Sequence, residues 1–222
     1  MSIGLLNEGP LHAALKATYA ANGGAAEVDI EGFVADAVRN GIVYEIQTGS
    51  FSGLQRKLEQ LVERQPVVLV HPIARSKLIV KQAADGQCSQ RRSPKKGALV
   101  HIVNELVYLP ALLNHPNFTV EVLLTDEREL RCFDARKKRG RGGWRVLERQ
   151  LLGVVEGMRL NAMEDVFEFL EDDLIEPFSA RELAQAVCQP LDIGQKMAYC
   201  LRVAGVTEVS GKRGNALLYV TR

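Results

Sequence analysis

The sequence predicts an α/β fold for this 222-residue chain: a mixed sheet flanked by helices, followed by a small helix–helix–hairpin module. Three observations lead there. Helical and strand-like periodicities alternate from the start in the order helix, strand, strand, helix, strand, the pattern of a layered α/β sheet. The run V-V-L-V-H-P-I, residues 67–73, is apolar without alternation, as in a strand buried on both faces. Near the C-terminus, Ser179-Ala-Arg-Glu182 and Asp192-Ile-Gly-Gln195 read as capping boxes opening two helices ahead of a turn-rich hairpin.

A hydrophobic content of 46% is enough to bury a real core. The predicted division is a domain over 1–135, a basic linker or loop with a connecting helix over 136–160, and a second small domain over 161–222. No apolar run is long enough to span a bilayer, and the start M-S-I-G-L-L-N-E lacks a basic segment leading an apolar one. The expectation is a cytoplasmic protein with no membrane partner. Cys88, Cys132, Cys188 and Cys200 form no C-x-x-C pair, and His12, His71, His101 and His115 form no ligand cluster, which argues against a structural zinc site.

The first element is a helix from about Leu5 to Tyr19, with Pro10 in its first turn and Gly23-Gly24 ending it. Glu8 then falls near the helix N-terminus, where the macrodipole favours a carboxylate. Residues 26–38 read as one strand with Gly32 as a bulge. Asn40-Gly41 is a favoured two-residue turn, because both positions need positive φ. That turn sets the register: Arg39 faces Ile42, Val38 faces Val43, Ala37 faces Tyr44, and Asp36 faces Glu45. Like charges so placed, with Cβ atoms roughly 5 Å apart, repel unless positive charge lies between them, and a hard divalent cation would supply it. The alternative is an acid pair facing solvent. Gln47 shares the face of Glu45, while Ile42, Tyr44 and Ile46 point the other way.

A helix from about Leu54 to Arg64 follows, its buried stripe made by Leu54, Leu58, Leu61 and Val62. Lys57 lies about 60° from Leu54 on the margin of that stripe, placed either to reach the sheet or to extend into solvent. After Pro66 come V-V-L-V-H-P-I and K-L-I-V-K-Q as two strands, then a helix from about Val100 to Leu113 and a strand from Thr119.

The net charge of +1 hides a strong segregation. Residues 136–149 carry seven Arg or Lys against Glu148, and 164–176 carry seven acids and no base. Arg91, Arg92, Lys95 and Lys96 flank a Ser-Pro turn that suits a phosphate contact. Arg136, Lys137, Lys138, Arg139 and Arg141, with Trp144, read as an extended loop beside a nucleic-acid backbone, the indole free to stack. A solvated linker is the alternative. In the C-terminal module the second helix offers Gln195, Lys196 and Arg202, and the turn G-K-R-G-N puts Lys212 and Arg213 at the hairpin tip. Helix, helix, basic-tipped hairpin is the order of a winged helix-turn-helix, which would contact DNA, dock a protein or pack on the first domain.

The order of a helix with Glu8, then Asp36, then Glu45-Ile-Gln47, then a helix with Lys57 resembles the PD-(D/E)xK restriction-endonuclease-like nucleases. The resemblance covers roughly the first 130 residues, and the whole chain resembles bacterial families that join such a domain to a winged helix. It implies a restriction-endonuclease-like sheet, with Asp36 as the first acid, Glu45 as the second, and Glu8 as the helical acid that joins the metal site. Gln47 stands where the family has lysine, giving an E-x-Q variant, and Ala35 stands where it often has proline. Lys57 on the neighbouring helix is then the replacement for the lysine.

The implied function is a Mg²⁺- or Mn²⁺-dependent DNA endonuclease. Asp36, Glu45 and Glu8 hold the ion, Gln47 and Lys57 position the nucleophile, and the winged helix selects duplex or branched DNA. Cutting both strands calls for two active sites, which a homodimer supplies, though no interface signal stands out. The rival reading is a DNA-binding regulator or adaptor whose nuclease fold has lost turnover.

Overall fold

A computed structural model describes residues 8–30, 32–83, 86–134 and 143–222. Helix α1 (Pro10–Ala20) starts behind Gly9 with Pro10 in its first turn, where no N–H is needed, and buries Leu11, Leu15 and Tyr19. Two strands follow where the sequence predicted one. β1 (Ala25–Ile30) and β2 (Phe33–Arg39) run antiparallel, with Ile30 opposite Phe33. Gly32, at φ +90°, therefore closes a hairpin turn instead of forming a bulge; either use needs a residue free to adopt positive φ.

The next hairpin matches expectation. β3 (Ile42–Ile46) pairs with β2 through Arg39–Ile42, Val38–Val43 and Ala37–Tyr44, and Asn40 and Gly41 hold φ of 52° and 74°. Helix α2 (Gln55–Val62) then returns the chain so that β4 (Val67–Gln82) lies parallel to β3. Residues 67–82 form one strand of 16 residues instead of two, bent by an irregularity between Ala74 and Ser76. Pro72 interrupts no ladder. Val70 gives its carbonyl to Gln47 N on the β3 side, and two residues on, Pro72 faces the space beyond the end of β3.

β5 (Cys88–Arg92) pairs antiparallel with the far half of β4, so Arg91 and Arg92 lie in a strand. The helix expected over Val100–Leu113 is broken into 3-10 turns at Leu99–Ile102 and Leu112–Asn114 around a single helical turn, α3 (Val103–Leu106). Pro110 prevents a continuous helix there. β6 (Phe118–Phe133) runs parallel to the whole of β4, and β7 (Trp144–Leu160) runs antiparallel to β6. The expectation of a loop and connecting helix over 136–160 is thus corrected for 144–160. Val146, Leu147, Leu151, Leu152, Val154 and Val155 give this stretch a β-forming content that its charge obscures. The sheet order is β1-β2-β3-β4-β6-β7, with β5 beside β4.

Strand alternation divides the core between the two faces, except in β2, where Ala35 and Ala37 share a parity but fall in different clusters on either side of Asp36. α1 covers one face, packing Leu11, Leu15 and Tyr19 on Ala37, Tyr44, Ile46, Val68 and Val70. Ala35, Val43, Leu69, Val120 and Val122 face the other cluster, which α2, α3 and the C-terminal helices share. Those helices are α4 (Ala180–Ala186), opened by the Ser179–Glu182 capping box, and α5 (Leu191–Val203), ahead of β8 (Thr207–Arg213) and β9 (Ala216–Thr221). Asp192 does not cap α5: the helix begins at Leu191 behind Pro190, and no side chain caps it. Lys212 and Arg213 pair with Leu217 and Ala216, leaving Gly214 and Asn215 as the hairpin tip. No described helix is long and apolar enough to cross a membrane.

Candidate functional site

The β2–β3 ladder ends at Ala37–Tyr44, one pair short of Asp36 and Glu45. Beyond it the Ile46 N–H donates to Asp36 Oδ2 at 2.8 Å, so a carboxylate takes the place of a strand carbonyl. The expected face-to-face acid pair is therefore a split in the sheet with one carboxylate bonded across it.

Each acid has a protein cation. Glu45 is 8% exposed, and Lys57 reaches from the first turn of α2 to its Oε2 at 2.7 Å and to the Val34 carbonyl at 3.3 Å. His12 of α1 lies 3.2 Å from Asp36 Oδ2 through Nε2 and 2.6 Å from Glu8 Oε1 through Nδ1. An imidazole with a carboxylate at each nitrogen donates from both only as the imidazolium. Glu8 lies two residues before the helix starts at Pro10, and its Oε2 takes Lys16 Nζ at 2.7 Å. His12 and Lys16 are the members that sequence reasoning missed. The signal was present in the spacing: His12 and Lys16, four residues apart, share one face of α1, and Glu8 lies four residues before His12, just ahead of the helix.

Titration follows from these contacts. Bonding to Asp36 raises His12 above its ordinary value against the opposing effect of burial. Burial pushes Asp36 up, but the His12 and Ile46 hydrogen bonds outweigh it and hold the carboxyl low. Glu45 goes the other way: burial raises it, and Lys57 only partly offsets the rise. At this site one buried oxygen has no partner among the described residues. Glu45 Oε1 is buried and accepts no hydrogen bond, a costly state for a carboxylate oxygen.

Gln47 donates Nε2 to the Ser50 carbonyl at 2.6 Å, and its backbone carbonyl meets His71 Nδ1 at 2.7 Å. Its amide thus shapes the Thr48–Ser50 turn. Among the described residues no group of three or more His, Cys, Asp or Glu side chains is arranged to hold a metal ion, and Glu8 is linked to Asp36 through His12.

The structure gathers Glu8, Asp36, Glu45 and Lys57; the basic residues are dispersed. Arg91, Arg92, Lys95 and Lys96 are exposed on β5 and the turn after it. Arg136, Lys137, Lys138, Arg139 and Arg141 lie outside the described residues. Trp144 is not free to stack on both faces: Lys81 Nζ lies 4.6 Å from its ring centroid, and Phe133 packs edge-on at 5.6 Å. Lys196 turns toward α3, donating to Asn104 Oδ1 at 2.6 Å. Arg213 pairs with Glu182 at 2.7 Å, while Lys212 is exposed.

A family model described as a domain of unknown function (DUF8091) matches residues 9–161, from the start of α1 past the end of β7. A protein of Treponema pallidum (strain Nichols), described as an uncharacterized protein, is 29% identical over 227 residues, which cover 99% of this chain and 87% of that protein. No solved structure matches the chain.

Proposed function

This chain belongs to the DUF8091 family, and since that membership assigns no chemistry, we propose from the site that it is a metal-dependent DNA endonuclease of the restriction-endonuclease-like type. The observation that carries the reading is the partnerless Glu45 Oε1, buried beside a strand split whose other side is Asp36, with Lys57 on the neighbouring oxygen.

The donor set fits a hard divalent cation. Glu45 Oε1 and Asp36 Oδ1 are the oxygens left over once Lys57, His12 and Ile46 N have taken theirs. Mg²⁺ or Mn²⁺ held there supplies concentrated positive charge for a phosphodiester and its attacking water. Lys57 fixes the Glu45 rotamer and sets an ammonium beside the reacting phosphate, the role its family position would have given Gln47. His12 clamps Asp36 to Glu8 and keeps Asp36 ionised. Gln47 holds the turn leading away from the site. In this reading the helix–helix–hairpin module is a winged helix that selects DNA through Lys212 and neighbouring basic residues.

Purified protein incubated with supercoiled, linear, branched and single-stranded DNA in Mg²⁺ or Mn²⁺ should cleave at least one substrate. Glu45→Ala and Asp36→Ala should abolish cleavage, and Lys57→Ala should reduce it by roughly a hundredfold or more. Cleavage undiminished by Glu45→Ala would refute the enzyme. The presence of a protein cation on each acid favours a second reading, a DNA-binding regulator without turnover. It requires salt-sensitive DNA binding that survives Asp36→Ala, with no cleavage in any metal.

A further inference from the structure

A cleft of about 760 Å³ opens between β4, β6 and the start of α5, within the size range of small-ligand pockets. Its two ends differ. Near the strand split it is lined by Thr48, Ser50, His71 and Glu105, and there Glu105 is already engaged by Phe51 N at 2.8 Å. The far end is basic. Lys77 and Arg131 both contact Glu129, at 3.2 and 2.6 Å, and the exposed Lys95 shares the lining with no ion pair of its own among the described residues. Glu129 neutralises one of these three cations, leaving a surplus of about two positive charges. Asp192, also in the lining, is paired with Lys196 at 3.4 Å.

The backbone that carries Lys95 is fixed. Its turn is bonded to β4 at both ends, Ser93 N to Lys77 O at 2.8 Å and Gly97 N to Ala74 O at 2.9 Å, and Lys95 N donates to Ser93 Oγ at 3.2 Å. The approach at Gly97 is so close that a Cβ there would meet Ile73 Cγ2 at 2.5 Å. Between the ends, Ile73, Ile79, Ile193 and Pro190 make apolar walls. His101 accepts Ala98 N at Nδ1, so its Nε2–H donates to Gln189 Oε1 at 3.0 Å and leaves the Gln189 NH₂ for another partner. The uncapped start of α5 forms part of the same wall.

We propose that this cleft is a nucleotide site: a phosphomonoester binds at Lys77, Lys95 and Arg131, and the attached base lies between Ile73, Ile193 and Pro190 within reach of Gln189. A monoester carries about −1.5 to −2 at neutral pH, which matches the surplus charge, whereas an internal diester carries one charge. The same chemistry is offered by a free mononucleotide and by the phosphorylated end of a strand. This inference does not rest on the nuclease reading, because it concerns binding alone.

The test is equilibrium binding of dAMP, deoxyadenosine and inorganic phosphate to the full chain without divalent cations. dAMP should bind more tightly than either fragment, and Lys95→Glu should weaken it by about tenfold or more with the melting temperature unchanged. Gln189→Ala should weaken dAMP and leave inorganic phosphate unaffected. Displacement of dAMP by a 5′-phosphorylated oligonucleotide assigns the site to strand ends; displacement by neither phosphorylated nor 5′-hydroxyl strand assigns it to the free nucleotide. The proposal is overturned by undetectable dAMP binding at millimolar concentration, by a Lys95→Glu variant that binds as wild type does, or by a 5′-hydroxyl strand that competes as well as the phosphorylated one.

Discussion

Glu45 holds a charge where burial opposes it, and Lys57 is what makes that tolerable. Removing the lysine leaves a buried carboxylate with no partner for either oxygen, so Lys57→Ala should destabilise the fold by about 1–2 kcal/mol at neutral pH, less than for a fully buried pair because Lys57 is 29% exposed. Glu45→Gln should recover most of that loss in the double variant, an interaction that a double-mutant cycle of urea melts would measure. Independent, additive effects would show that the two side chains are not coupled.

The sign of the pH dependence differs among these neighbours. Glu45 is raised above 4.5, so the folded protein holds its proton more tightly, and the carboxylate costs stability as pH rises from about there through the raised value. Glu45→Gln should therefore raise the melting temperature at pH 7 and lose that advantage in acid. His12 is also raised, above 6.5; being a base, it contributes stability fully below 6.5 and loses it as pH climbs through the raised value. His12→Asn should flatten the melting profile in that upper window. A profile unchanged by His12→Asn would mean the Glu8–His12–Asp36 clamp carries no energy. Asp36, lowered below 3.8, contributes above that value and loses its contribution only as pH falls through the lowered one.

At the scale of elements, local turn chemistry was the most legible feature. Asn40-Gly41 fixed the β2–β3 register and Ser179–Glu182 the start of α4, because each is a short-range arrangement that few other residues permit. The parting of β2 and β3 was not legible, since it depends on a carboxylate bonding across the gap in place of a carbonyl. Strand β7 was hidden because its basic start was weighed as charge, although its partner β6 is the strand just before it, with Phe133 paired to Trp144. Helix packing was equally silent. α4 and α5 meet so closely at Gly194 that a Cβ there would come within 2.2 Å of Ala180 O and 2.7 Å of Ala184 Cβ. Gly194→Ala must push the helices apart and should cost about 2 kcal/mol in a chemical melt. An unchanged midpoint would show that the two helices slide freely.

For the whole molecule, the family match and the core disagree about where the folding unit ends. The match stops at residue 161. The larger hydrophobic cluster does not: Val100, Ile102, Leu106 and Leu109 share it with Leu183, Ile193, Met197 and Leu201 from α4 and α5. Exposing a fully buried aliphatic side chain costs about 1.5–3 kcal/mol, so uncovering even four consumes most of a typical stability of about 5–15 kcal/mol. A chain ending at Leu160 should therefore lose its cooperative melt and bind a hydrophobic dye, despite keeping every strand of the main sheet. In the full chain, Leu61→Ala on the buried face of α2 and Leu201→Ala in α5 should each lower one and the same urea transition by about 3 kcal/mol. Two separated transitions, with Leu201→Ala shifting only one, would show that the C-terminal module folds on its own. A single transition instead means that the cleft walls, β4 and β6 on one side and α5 on the other, are held by the same core that carries Glu45. The candidate active site and the cleft then form and lose their shape together.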